Sequence, residues 1–186
     1  MNRITISISA MTIALLFLAG CTNSSTTNDT STLERREISV QWVDDFSDER
    51  KVAGYSTNVF VGKVTRLIKT EQSPSPVSYF EVAVEETLKG KPLKTATIRQ
   101  EGGVVNENGR SVLYVIEGDT ELLAIGKTYI FASRPDQARG YLSLVGHSNQ
   151  GYIQINDLLD KQAKVAKFRT AIKNQHTYPP EMLISE

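Results

Sequence analysis

The chain has 186 residues, 40% of them hydrophobic and 23% charged, with 21 Lys and Arg against 21 Asp and Glu. That balance is typical of an ordinary globular domain, carries no strong global field and gives no footing for a nucleic-acid binder. A single cysteine excludes an intramolecular disulfide and every metal site built on a cysteine pair, so a hydrophobic core must hold the fold.

The N-terminus has the layout of a signal peptide: Arg3 supplies a positive start, residues 4–17 are largely apolar, and the small residues Ala19 and Gly20 follow. As a helix this stretch would reach about 21 Å, short of the roughly 30 Å hydrocarbon layer of a bilayer, which argues against a permanent span. It closes on Leu18-Ala19-Gly20-Cys21, which resembles the lipobox of bacterial lipoproteins. The resemblance implies cleavage before Cys21 and a diacylglyceryl group on its thiol, so that residues 1–20 are a leader and the mature chain is held on a membrane. Two acyl chains give stable attachment where one gives marginal binding, each buried methylene contributing about 0.8 kcal/mol. Residues 22–32 read TNSSTTNDTST, without one hydrophobic side chain, and predict a flexible tether from Cys21 to a single domain over residues 33–186. The lack of disulfides points towards a Gram-positive envelope; in a Gram-negative cell the anchor would lie on a periplasmic membrane face.

Within the domain, loose alternation over residues 38–43 predicts a first edge strand, and an acidic segment over 44–55 predicts a short helix. Residues 58–70 are rich in β-branched side chains and predict a strand, with Gly62 placed for a bulge. A break at 72–76 precedes a partner strand at 79–85, and residues 96–100 alternate again before Gly102-Gly103. The turn signal Asn106-Glu107-Asn108-Gly109 predicts a hairpin between Val104-Val105 and residues 112–116. Strands at 126–132 and 141–145 flank the polar loop 134–140, and a last strand follows at 151–155. From Asp157 the period becomes helical, with Leu158, Val165, Phe168 and Ile172 on one side. Many short strands and then one helix predict a mainly β domain, a small barrel or sandwich with a helix against it.

Taken in order, Val59-Phe60-Val61-Gly62-Lys63-Val64, Phe80-Glu81-Val82-Ala83-Val84-Glu85-Glu86-Thr87-Leu88-Lys89-Gly90, Gly126-Lys127-Thr128-Tyr129-Ile130-Phe131 and the closing helix resemble the netrin-like modules, which include the tissue inhibitors of metalloproteinases. The resemblance covers residues 55–172 and implies a five-stranded antiparallel barrel of the OB type with a short N-terminal helix and a C-terminal amphipathic helix. It does not carry metalloproteinase inhibition: the disulfides are missing, and Cys21, separated from the barrel and expected to be acylated, does not match those inhibitors' free N-terminal cysteine.

No residue set reads as an active site. His147 and His176 lack zinc-site spacing and an evident acid partner, and no serine-hydrolase signature is present. The cluster Asp44, Asp45, Asp48 and Glu49 reads as a solvated helix start rather than a calcium loop, and Gly102-Gly103 as a turn rather than a phosphate cradle. Lys161, Lys164, Lys167, Arg169 and Lys173 suit the C-terminal helix dipole, with anionic lipid or wall polymer as the functional alternative. Trp42, Tyr114, Tyr129, Tyr141 and Tyr152, with His147, are the candidates for a ligand face; core packing is the alternative for most of them. The sequence therefore predicts an anchored binding module for an envelope protein, peptide or wall component, with no catalytic, metal or cofactor residues. A hydrolase centred on His147 and a protease inhibitor are the alternatives.

Overall fold

In the computed structural model, which describes residues 30–72, 74–119 and 121–183, the order of elements is β1 (Glu34–Ile38), α1 (Glu49–Tyr55), β2 (Asn58–Glu71), β3 (Val77–Lys89), β4 (Thr95–Glu101), β5 (Gly103–Glu107), β6 (Arg110–Ile116), β7 (Thr128–Asp136), β8 (Tyr141–Leu144), β9 (Tyr152–Ile155), α2 (Leu158–Lys173) and a 3-10 turn at Pro180–Met182. The expected leader, Cys21 and the expected tether as far as residue 29 lie outside the described residues; Thr30 to Leu33 make a turn closed by the Leu33 N–H on the Thr30 carbonyl.

The fold is mainly β, with two helices. A six-stranded sheet runs β2-β3-β4-β8-β7-β9, and β7 also pairs antiparallel with β2 from Asn58↔Ser133 to Lys63↔Thr128. All its ladders are antiparallel except β4 with β8, which pair in parallel at Ile98↔Leu142. A smaller sheet, β1-β6-β5, combines the predicted β5–β6 hairpin with a parallel first strand. Asn108 and Gly109 take positive φ at the hairpin tip, as that turn requires.

Alternation along β2 and β7 decides where the core sits. Phe60, Val64, Tyr129 and Phe131 point to one side with Phe80, Val82 and Ile98, while Val59, Val61, Ile130 and Ala132 point to the other, beneath Phe168 of α2 and Val52 of α1. Both faces are therefore buried over the first part of β2, as far as Val64, and over the middle of β7, while β2 beyond Val64 is mostly exposed; each large apolar side chain enclosed in this way contributes about 1.5–3 kcal/mol. Gly62 sits at a register shift between β2 and β3, and a Cβ there would come 2.5 Å from Val82 Cγ1, so the bulge read from the sequence is a place of close approach. At the crossing from the large sheet to the small one, Gly102 has φ +102° and its N–H bonds the Pro76 carbonyl at 2.7 Å. The sequence suggests a turn at Gly102-Gly103; instead Gly102 forms an isolated bridge with Val77 and Gly103 opens β5, the positive φ of Gly102 letting the chain pass between the sheets.

Three further local expectations are corrected. The first strand is residues 34–38, not 38–43: its side chains are mostly exposed, so main-chain pairing with β6 and the Arg36–Glu34 and Arg36–Glu107 ion pairs hold it, and no apolar period marks it. Helix α1 starts at Glu49 behind an Asp48 cap, because Asp45 turns back to accept the Ser47 N–H (2.9 Å) and breaks a helix over 44–48. Leu158 is 69% exposed, and the packed side of α2 is Val165, Phe168, Ala171 and Ile172.

Candidate functional site

Three of the six ligand-face candidates meet in one polar chain that runs from the surface into the core. The Trp42 indole N–H donates to His147 Nε2 at 2.8 Å, with the rings edge to face at 5.4 Å. The neutral ring therefore keeps its proton on Nδ1, which is buried without a hydrogen bond and stands 3.7 Å from Asp119 Oδ1. Asp119, 2% exposed, accepts the Ser148 N–H at 2.8 Å and the Tyr152 hydroxyl at 2.6 Å. That hydroxyl in turn accepts from Gln100 Nε2 at 3.0 Å, and Gln100 Oε1 accepts the Leu123 N–H at 2.9 Å. Burial, and then the Asp119 carboxylate, push the Tyr152 hydroxyl far above the usual phenol range, so it stays protonated as the donor. Tyr129 lies behind, its ring centroid 6.4 Å from that of Tyr152. The arrangement ties the irregular segment 39–47, through Trp42, to the loop before β9 and to β4. Asp119 is thus an acid beside His147 but not hydrogen-bonded to it, and the nitrogen that would face a nucleophile in a triad is occupied by Trp42.

Tyr141 lies elsewhere, on the outer face of β8, where its ring meets Tyr79 of β3 edge-on at 5.3 Å. These two rings floor a groove of about 670 Å³ between the β2–β3 connection and the β7–β8 turn. Three cations stand around it. Lys69 Nζ lies 4.7 Å from the Tyr79 ring centroid, the Arg99 guanidinium 6.0 Å from that of Tyr141, and Arg139 donates to the Tyr141 hydroxyl at 3.1 Å. Each has a carboxylate partner: Glu71 at 2.5 Å, Glu101 at 2.5 Å and Asp136 at 3.7 Å. Lys69 and the Tyr79 hydroxyl hold Glu71 below the usual carboxylate range, while burial and that same carboxylate push Tyr79 up. Alternating donors and acceptors over an aromatic floor suit an extended polar ligand with anionic groups, whose carboxylates or phosphates can exchange with Glu71 or Asp136. Lys69 and Glu71 are already paired with each other and the Tyr79 hydroxyl is bonded to Glu71, so the groove presents charged and hydroxyl groups that can bind such a ligand.

Tyr114 is separate again, bonded to Glu107 (2.5 Å) and Arg36 (3.0 Å) on the smaller sheet. His176 is exposed, its ring edge-on to Tyr178 at 4.8 Å. Lys51 and then Tyr178 hold Asp44 down at about 2, and Asp48 caps α1 and binds Arg50. No three His, Cys, Asp or Glu side chains converge as metal ligands among the described residues. On α2, Lys161, Lys164, Lys167 and Arg169 are bonded to Glu85, Asp160, Glu49 and Glu86, which accounts for them as ties to the sheet, the helix's own first turn and α1.

Asp119, Gln100, Tyr79, Lys69, Arg99 and Arg139 were not among the residues the sequence singles out. Gln100 had a signal: it continues the inward parity of Ala96 and Ile98 in β4, and a polar side chain at a core position needs partners. No protein-family model matches the chain, and no curated protein matches it.

Proposed function

We propose that this chain is an extracytoplasmic lipoprotein, anchored through a diacylglyceryl group on Cys21, that works as a binding module and takes a peptide or wall-polymer ligand in the Tyr79–Tyr141 groove. The observation that carries the reading is the pair of tyrosine rings ringed by Lys69, Arg99 and Arg139. Within the same reading the large sheet is an OB-type, netrin-like barrel. Support comes from the pairings β2-β3, β3-β4, β4-β8, β8-β7 and β7-β2, with β4 and β8 parallel. The groove then falls on the second and third barrel strands and the two loops beside them, where OB folds hold oligomeric ligands. No described helix is long and apolar enough to cross a membrane, which is compatible with attachment by lipid.

Binding is tested with soluble peptidoglycan fragments, anionic wall polymer and envelope peptides, titrated by calorimetry against the whole acylated chain in detergent. One class binds saturably, and K69A with R139A, both at exposed side chains, weakens it at least about tenfold, or about 1.4 kcal/mol. Equal affinity in the double variant contradicts the groove. A hydrolase centred on His147 is the second reading, favoured by Asp119 beside Nδ1; it requires turnover of one of these substrates that H147A abolishes.

A further inference from the structure

The two most exposed large hydrophobic side chains among the described residues are neighbours, Leu158 at 69% and Leu159 at 77%. They form the first turn of α2, behind the Asp157 cap, outside the apolar packing of the helix, which begins further along at Val165 and Phe168. The register places two lysines at the same corner. Lys63 of β2 pairs with Thr128, Thr128 pairs with Ile155, and Lys127 therefore lies beside Asn156, two residues before the leucines. Lys63 and Lys127 are exposed and have no ion-pair partner among the described residues. Of the acids around this corner, Glu85 is paired with Lys161, Asp160 with Lys164, and Asp157 accepts the Asp160 N–H, while Glu121, in the loop that leads to Lys127, is exposed without an ion-pair partner among the described residues.

The path of the chain into the domain gives this corner an occupant. Thr30 lines a small apolar pocket with Leu67 and Ala124, and the Ala124 carbonyl accepts the Lys127 N–H at 3.2 Å. The chain therefore enters the domain at the pocket beneath the loop of residues 121–127, which ends at Lys127. Eight residues lie between Cys21 and Thr30, nine Cα steps that cap their separation at about 30 Å with the chain fully extended. An acylated Cys21 keeps this edge of the domain close to the bilayer at all times, so a second, weak contact is made at high local concentration.

We infer that the corner of Leu158, Leu159, Lys63 and Lys127 is the face with which the domain rests on the anionic bilayer that carries its anchor. The inference depends on the anchoring reading above. The leucines enter the headgroup boundary, the lysines meet lipid phosphates, and the Tyr79–Tyr141 groove is held in one orientation above the surface.

The test uses the full chain processed by a host that acylates it. Intact mass first shows whether Cys21 bears lipid. L159C then supplies the one free thiol for an environment-sensitive fluorophore, with K173C, about 21 Å along the same helix, as the control. In phosphatidylglycerol vesicles the label at 159 shifts to the blue and is quenched by nitroxide lipids, the label at 173 does neither, and L158D abolishes the shift at 159. Acylated protein with identical emission at the two sites overturns the inference and leaves the anchor standing. A blue shift at 159 produced without vesicles by an added envelope-protein fraction overturns it in favour of a protein partner. Unmodified Cys21 removes the anchoring reading itself, and this inference with it.

Discussion

Y152F removes one oxygen atom from the centre of the buried chain and gives a sharp test of it. The hydroxyl accepts from Gln100 Nε2 at 3.0 Å and donates to Asp119 Oδ2 at 2.6 Å, in a side chain only 5% exposed, so neither partner can turn to water when it is gone. A hydrogen bond to a charged group is worth about 1.5–3 kcal/mol, and a stranded buried donor costs about 1–3 kcal/mol. The variant is expected to lose about 3 kcal/mol in urea unfolding, or roughly 6–12 °C in Tm for a domain of this size. A double-mutant cycle with D119N isolates the bond and should return a coupling of about 1–2 kcal/mol. A loss below about 0.5 kcal/mol, or strictly additive single variants, would show that the three side chains do not act as a unit.

Other perturbations test the scaffold. F168A opens a cavity between α2 and the sheet and should cost about 3–5 kcal/mol, checked by denaturant titration with m unchanged. G54A is expected to destabilise although helix propensity alone would favour Ala by about 1 kcal/mol, because the new methyl runs into the His176 backbone carbonyl; thermal melting gives the sign. Asp44 titrates near 2 in the folded chain and near 4 when unfolded, so its bonds to Lys51 and Tyr178 add stability that is complete above about pH 4 and lost as pH falls towards 2. D44N should flatten the pH dependence of unfolding across that window, while Asp48, held down by Arg50, leaves part of the slope in place.

Much of the sheet was legible because its strands obey a simple parity. Phe60, Phe80, Val82 and Ile98 alternate with residues of opposite facing, and the turn chemistry at Asn108-Gly109 agrees with the strands on either side. Where main-chain pairing or side-chain turns replace apolar period, the reading slipped: β1 is a polar strand held by β6, and Asp45 bends back on Ser47 where acidic residues suggested a helix. The candidate groove was less legible still, since Lys69, Tyr79, Arg99 and Tyr141 come from four strands and Arg139 from a turn. Only the sheet register brings them together, and no spacing within one segment records it. Of the aromatic candidates, Trp42 and Tyr152 share a network because Asp119 and His147 join them, and Asp119 carried no local mark of burial in the sequence.

The most direct measurement is intact-mass and N-terminal analysis of the protein taken from its own envelope. The account predicts a chain that begins at Cys21 and carries diacylglyceryl on its sulfur, released from membranes by detergent but not by salt. A free thiol at Cys21, or a mature chain that starts elsewhere, would contradict it.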